Sequence, residues 1–199
     1  MSGEHESPSG VHQPAGSRLS PDISHGQPGD IDRLIEIDRA ASSLFAPTGL
    51  LSAEALADHV PAKDLRDAIA SGWLLVARLT GAGAIGFVMA SPRGEDLYVD
   101  QISVDPAYGQ RGAGRLLMHR LEELACARGL PAIALSTFRE LRWNAPFYAS
   151  IGYRELKRDA FASYMLEIEA GQTPFMDVTK RTFMRKQLRK PPFDDTRRT

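Results

Sequence analysis

The sequence predicts a mixed α/β (α+β) fold, a twisted and mostly antiparallel sheet with one parallel strand pair. Three observations predict it. Two strand-type runs, residues 73–78 and 84–90, are separated by Gly81, Ala82 and Gly83, a hairpin connection. A third run, Leu97–Val104, follows a short link over residues 91–94, so three adjacent antiparallel strands are expected. A helical stretch carrying Leu117, Leu121 and Leu124 then leads to a further run, residues 132–137, and a helical crossover makes its two strands parallel neighbours.

In chain order, residues 1–29 are rich in Ser, Gly and Pro and poor in large apolar side chains, so disorder is expected there. His5, His12 and His25 fall in it at irregular spacing with no cysteine beside them, the pattern of a solvated tail rather than a metal tract. Residues 30–188 are the expected folded domain. Asp30 is placed to cap a helix with Leu34, Ile37 and Ala41 on one face. Pro47, Thr48 and Gly49 break that helix. Ser52 starts a second helical stretch, which Pro61 interrupts before Leu65 and Ile69, and Gly72 ends the region. The run 97–104 is rich in aromatic and β-branched residues, and Pro106, which cannot donate to a ladder, stops it.

Gly129 and Pro131 end the crossover helix. The strand over 132–137 leads to a loop, residues 138–142, and a short helix over 143–150 with Pro146 in its first turn. Gly152 closes it and residues 153–156 return as a strand. Phe161, Tyr164, Met165 and Ile168 recur at helical spacing, with Gly171 as the stop. Residues 178–188 supply a last strand, expected at a sheet edge because of its lysines and arginines. Residues 189–199 read as a free tail.

With 43% hydrophobic and 25% charged residues in 199, the chain can bury one sizeable globular core. A net charge of −1 argues against a nucleic-acid or membrane-surface binder. No apolar run is long enough to span a bilayer, and no basic-then-apolar segment opens the chain. The single cysteine, Cys126, excludes an internal disulfide, and a cytoplasmic location is expected.

The stretch from Leu97 to Gly129 organises the chain, and its turn carries the chemistry. Gly109, Gly112 and Gly114 leave the backbone uncrowded where a helix begins. First-turn amides have no partner within a helix and the dipole there is positive, so bare amides at that point can cradle a pyrophosphate. Arg111 and Arg115 add positive charge. The alternative is a tight strand–helix turn whose glycines serve packing only. No Gly-Lys-Ser/Thr follows, so this is not a Walker loop, and Leu117 occupies the third glycine position of a dinucleotide fingerprint.

A second cluster runs Trp143-Asn144-Ala145-Pro146-Phe147-Tyr148, then Gly152-Tyr153. With Val104-Asp105-Pro106, Tyr108, Arg111-Gly112 and Gly114-Arg115 it resembles the GNAT superfamily of acetyl-CoA-dependent N-acetyltransferases, over about residues 31–188 by element order. The resemblance implies about six or seven strands with helices on both faces, acetyl-CoA as co-substrate, no metal, and an amine of a small molecule or peptide as acceptor. It allows a homodimer. It further implies that the organising strand diverges from its parallel neighbour to admit pantetheine, held by backbone groups of Ile102, Ser103 and Val104. Gln110, Arg111, Gly112, Ala113, Gly114 and Arg115 would hold the pyrophosphate, although Gly109 stands where the family usually has Gln or Arg. Asn144 would hydrogen-bond the cofactor, and Tyr148 would protonate the departing thiolate. As structure alone, Asn144 reads as an N-cap and Tyr148 as a core aromatic beside Phe147.

For the base, Asp100 is a carboxylate in a strand, where Asp is disfavoured, and alternation places it with Tyr98 and Ile102. The other reading is an ion-paired acid. Glu140 on the following loop is a weaker candidate, and relay through water a third. His59 and His119 lack a partner pattern for nucleophilic catalysis, and Cys126 reads as a small core residue. Phe45, Trp73 and Trp143 are equally readable as pocket or core. The expected function is direct acetyl transfer to a primary amine. A catalytically silent acyl-CoA-binding module and a non-enzymatic interaction domain are the competing readings.

Overall fold

The computed structural model describes residues 20–188. Its strands are β1 (Asp22–His25), β2 (Leu74–Leu79), β3 (Gly83–Arg93), β4 (Asp96–Val104), β5 (Ala132–Phe138), β6 (Arg154–Glu155) and β7 (Arg181–Gln187). Its α-helices are α1 (Ile31–Ser42), α2 (Ala53–Ala57), α3 (Ala62–Ala70), α4 (Ala113–Ala127), α5 (Ala145–Ser150) and α6 (Ser163–Gln172). The strands form one sheet in the order β1-β2-β3-β4-β5-β7-β6, antiparallel throughout except at the β4–β5 pair. The mixed sheet, the hairpin and the helical crossover are as expected.

One face carries α4 and α5. The α4 stripe of Leu117, Met118, Leu121 and Ala125 is fully buried against Ile85, Val88, Leu97 and Ile133. Each fully buried Leu contributes roughly 1.5–3 kcal/mol. An exposed pair such as Arg120–Glu123 contributes at most about 1 kcal/mol, so the apolar stripe decides how α4 docks. On the opposite face, α1 and α3 pack Leu34, Ile37 and Leu65 on Leu74, Val76 and Phe87. Further along that face, α6 packs Met165 on Tyr98, Ala134 and Phe183. Between those two helical groups, β4 and β5 floor a cavity.

Four expectations need correction. Residues 22–25, inside the segment expected to be disordered, form β1 on the outer edge of β2, and the Gly26 amide donates to the Leu74 carbonyl at 3.0 Å. Ile23 packs on the core there, and a Cβ at Gly26 would come within 2.3 Å of the Leu74 side chain, so glycine lets the chain approach. Residues 1–19 and 189–199, the rest of the expected tails, lie outside the described residues.

Asp30 holds the N-cap position of α1 without capping it. Its carboxylate accepts from the Arg78 guanidinium at 2.9 and 2.7 Å and from the Gln27 amide. Two charge-assisted bonds to a planar fork outcompete one amide. They hold the Asp30 carboxyl below the ordinary range, so this stabilisation is present above that range and fades as pH falls through the lowered value.

The last strand, β7, is internal. It pairs with β5 along its length and with β6 on its other side. Two of its cations are neutralised by distant acids: Arg185 donates to Asp96 at 2.9 Å and Lys186 to Glu122 at 2.7 Å. Finally, α6 runs through Gly171 to Gln172.

Candidate active site

The β4–β5 ladder holds for three pairs, Asp96–Ala132, Leu97–Ile133 and Tyr98–Ala134, and then stops. Both strands continue, β4 still paired with β3 and β5 with β7, so a cleft opens between residues 99–104 and 135–138. A β-bulge sits where the cleft begins. Met89 opposes Gln101 and Ala90 opposes Val99, leaving Asp100 without a partner residue. The extra residue reverses the alternation. Tyr98 joins the α6 side of the sheet while Ile102 and Val104 join the α4 side, which corrects the expected common face of Tyr98, Asp100 and Ile102.

The Asp105 amide donates to the Ile85 carbonyl, so alternation turns the backbone of Ser103 toward β3 and that of Ile102 and Val104 toward the cleft. The Ser103 hydroxyl meanwhile donates to Asp38 at 2.7 Å. Ser103 is thus engaged on both counts, while Ile102 and Val104 keep backbone groups facing the opening. Asp105 fixes the strand end: its carboxylate accepts from the Ala107 amide and pairs with Arg33 at 2.7 Å.

The loop entering α4 bends through two left-handed residues, Gln110 at φ 56° and Gly112 at φ 98°. Gly112 is the N-cap of α4 and offers no side chain to occupy the first-turn amides. Leu116 is the first residue of that turn whose amide folds back, to the Gly112 carbonyl. A Cβ at Gly112 would meet nothing within 4 Å, so the concavity above these amides is open. Gly114 lets the helix start close to Val104 and Phe147. The exposed Arg115 reaches Ser150 on α5 at 3.1 Å.

α5 brings Asn144 and Tyr148 to the cleft. Asn144 is 9% exposed and occupies the N-cap position, yet its side chain makes no capping bond. Its Nδ2 is a buried donor with no partner among the described residues. A buried donor left unmet costs about 1–3 kcal/mol. The Tyr148 ring packs edge-on against Phe147 at 5.1 Å and Tyr153 at 5.9 Å, so it is a core aromatic as well as a cleft residue. Burial drives its phenol well above the ordinary range, and the nearby Arg181 charge draws it partway back.

Both residues line a cavity of about 750 Å³ with β4 residues 98–103, β5 residues 135–138, Asp38, Phe45 and Arg181. Asp100 stands in its wall, half-buried. Burial raises its carboxyl above the usual range, opposed by a hydrogen bond from Ser91 and by the charge of Arg93, 3.9 Å away. Glu140 is exposed on its loop and does not line the cavity, and neither does His119 on the outer face of α4. His59 does line it, beside Arg39. Of the three aromatic candidates, Trp73 is core under Arg128, whereas Phe45 stacks with Phe138 at 5.7 Å and Trp143 at 6.2 Å near the cavity. Cys126 packs beside the α4 core.

Two cavity residues escaped the sequence reading. Asp38 is 3% exposed and accepts from Gln101 and Ser103 at 2.7 Å and from the Val60 amide at 2.9 Å. Its signal was there: an acid on the inward stripe of α1, between Ile37 and Ala41. Arg181 carries none: in the sequence it is one more cation of a strand expected at a sheet edge. Among the described residues no group of three or more His, Cys, Asp or Glu is placed to hold a metal, and no helix is long and apolar enough to cross a membrane.

A strand pair that splays, a bulge at the point of divergence and an open glycine turn at a helix N-terminus thus lie along one edge of β4 in the mixed sheet. Residues 40–153 match the Acetyltransferase (GNAT) family, and the chain belongs to it. Among solved structures, the chain is similar to the PaiA N-acetyltransferase from Thermoplasma acidophilum in complex with coenzyme A, at 18% identity over 85% of this chain and 99% of that one, TM-score 0.65. It is also similar to the ribosomal-protein-S18-alanine N-acetyltransferase from Escherichia coli, at 16% identity over 88% and 98% of the chains, TM-score 0.61. A GNAT-family acetyltransferase from Staphylococcus aureus matches at 16% identity over 85% and 100%, TM-score 0.63. At these identities the likeness is one of fold.

Proposed function

We propose that this protein is an acetyl-CoA-dependent N-acetyltransferase that moves the acetyl group directly to a primary amine of a small molecule or peptide. The observation that carries the reading is the opening between β4 and β5, with the unpaired Asn144 amide and the Tyr148 phenol at its inner end. The residues present fit acetyl-CoA, which supplies a thioester as acyl donor. The first-turn amides of α4 and its positive dipole end suit a pyrophosphate, with Gln110, Arg111, Ala113, Gly114 and Arg115 around it. The backbone groups of Ile102 and Val104 offer a strand-like edge to the pantetheine amides, and Asn144 Nδ2 donates a further hydrogen bond. Tyr148 stays protonated at neutral pH and donates to the departing sulfur. Asp100 takes the proton that the attacking amine must lose, and its raised carboxyl suits that task better than an ordinary aspartate does.

Thiol release from acetyl-CoA, measured against a panel of amines, amino acids and peptide N-termini, tests this. Amine-dependent release is expected, with an acidic limb in kcat/KM. A carboxylate accepts a proton only when ionised, so the rate rises as pH climbs through the raised value, and Asp100→Asn should remove that limb. Release that no amine increases would contradict the proposal.

A further inference from the structure

Arg181 is a half-buried cation on β7 that has no acid beside it among the described residues. Arg78, Arg185 and Lys186 each meet a carboxylate within 3 Å. Arg181 meets none among the described residues. Its Nε donates to the Ser136 hydroxyl at 3.1 Å, one Nη donates to the Ser136 carbonyl at 2.9 Å, and the group lies 4.7 Å over the Phe138 ring. These contacts fix the plane of the guanidinium while using two of its five N–H donors. Burial lowers its pKa, so the charged form is held at a cost. A half-buried charge without a counter-ion is unfavourable, and a bound anion would offset that cost.

The cavity is polarised. Arg181 on β7 lines it, held on β5 by Ser136 and Phe138, and Asp38 on α1 and Asp100 on β4 line it as well. An amine drawn toward the carboxylates at the cleft would present an anionic group to Arg181. The planar fork matches a carboxylate, which it can bind through two parallel N–H bonds. The cavity is about 750 Å³ and must also admit the acyl arm of the donor, which favours a compact acceptor. Leu51 forms a β-bridge with Met176, and both line the cavity, tying the segment after α1 to the segment after α6.

We propose that the acetyl acceptor is a small amine that also carries a carboxylate, an amino acid or a close analogue, and that Arg181 binds that carboxylate as a specificity-determining residue. This rests on the acetyltransferase reading above.

The test is calorimetric and needs no turnover. The protein, with and without saturating CoA, is titrated with N-acetyl-glycine, N-acetyl-alanine, N-acetyl-phenylalanine and N-acetyl-glutamine, and with the carboxamide of each. N-acetyl-glycylglycine serves as the longer, peptide-like arm. At least one free acid should bind about tenfold or more tightly than its own amide, the loss expected for one charge-assisted contact. Arg181→Gln should reduce that ratio to within twofold with CoA affinity unchanged, and Arg181→Lys should keep part of it. The longer acid should bind more weakly than the amino-acid products.

Acids and amides that bind equally to the unsubstituted protein would overturn the proposal, whatever the variants do. An acid preference that persists in Arg181→Gln would overturn the assignment to Arg181, and a longer acid that binds best would overturn the compact acceptor. CoA is titrated in the same experiment: if CoA fails to bind, the acetyltransferase reading falls, whereas equal binding of acids and amides with CoA bound removes only the carboxylate-bearing acceptor.

Discussion

Tyr148→Phe is expected to lower kcat roughly 10²–10⁴-fold, the range for a positioned acid, while the KM for acetyl-CoA stays within about twofold. The ring fills its place between Phe147 and Tyr153 without help from the hydroxyl, so the variant should fold and bind normally. The hydroxyl acts on charge that appears at sulfur only as the thioester breaks, so its loss belongs in kcat rather than in ground-state binding. The direction of its pKa adds a second signature. Burial keeps the phenol protonated well beyond neutrality, so Tyr148 should cause no alkaline loss of rate below about pH 10, the reference value for a free phenol. Steady-state kinetics with the best acceptor checks both points. Turnover within about twofold of the parent, far short of the acid-catalysis range, would leave Tyr148 a core aromatic and strengthen the silent-module reading.

Gly112→Asp should weaken acetyl-CoA binding by about two orders of magnitude, for reasons that a companion variant separates. At φ 98° any L-residue is strained, and the strain costs on the order of 1–2 kcal/mol. Gly112→Ala carries that strain alone, because open space surrounds the added Cβ. The aspartate adds a carboxylate over the first-turn amides, in the place and with the sign of the phosphates it would exclude. An N-terminal carboxylate favours the helix itself, which offsets part of the strain, so the melting temperature should fall little. Equilibrium titration with acetyl-CoA should rank the parent first, then Ala, then Asp. Equal affinity for all three would remove the pyrophosphate from this turn.

Where one physical signal dominated, the chain was legible. The apolar stripe of α4, the hairpin glycines before β3 and the crossover to β5 all follow from spacing and turn chemistry, and all appear as expected. What escaped depends on partners far away in sequence. β7 looks like an edge strand until Asp96 and Glu122 neutralise Arg185 and Lys186 across 89 and 64 residues. β1 offers Ile23 alone as an apolar side chain in four residues, too little for a strand signal without β2 beside it. Asp30 was placed correctly as an N-cap but is claimed by Arg78. At the site, the family motifs singled out Asn144 and Tyr148, which line the cavity. A period-2 reading cannot see a bulge, so it misplaced the face shared by Tyr98, Asp100 and Ile102. It was equally blind to the double engagement of Ser103 and to the cavity that gathers Asp38 and Arg181.

The central claim is that coenzyme A lies along the β4–β5 opening with its pyrophosphate on the turn before α4. Backbone amide chemical shifts followed during titration with CoA test it most directly. The account predicts the largest, saturable changes at residues 100–104, 110–116 and 144–148, with little change on the outer strands β1 and β6. Changes centred on another surface, or none in the 110–116 turn at saturating CoA, would contradict it.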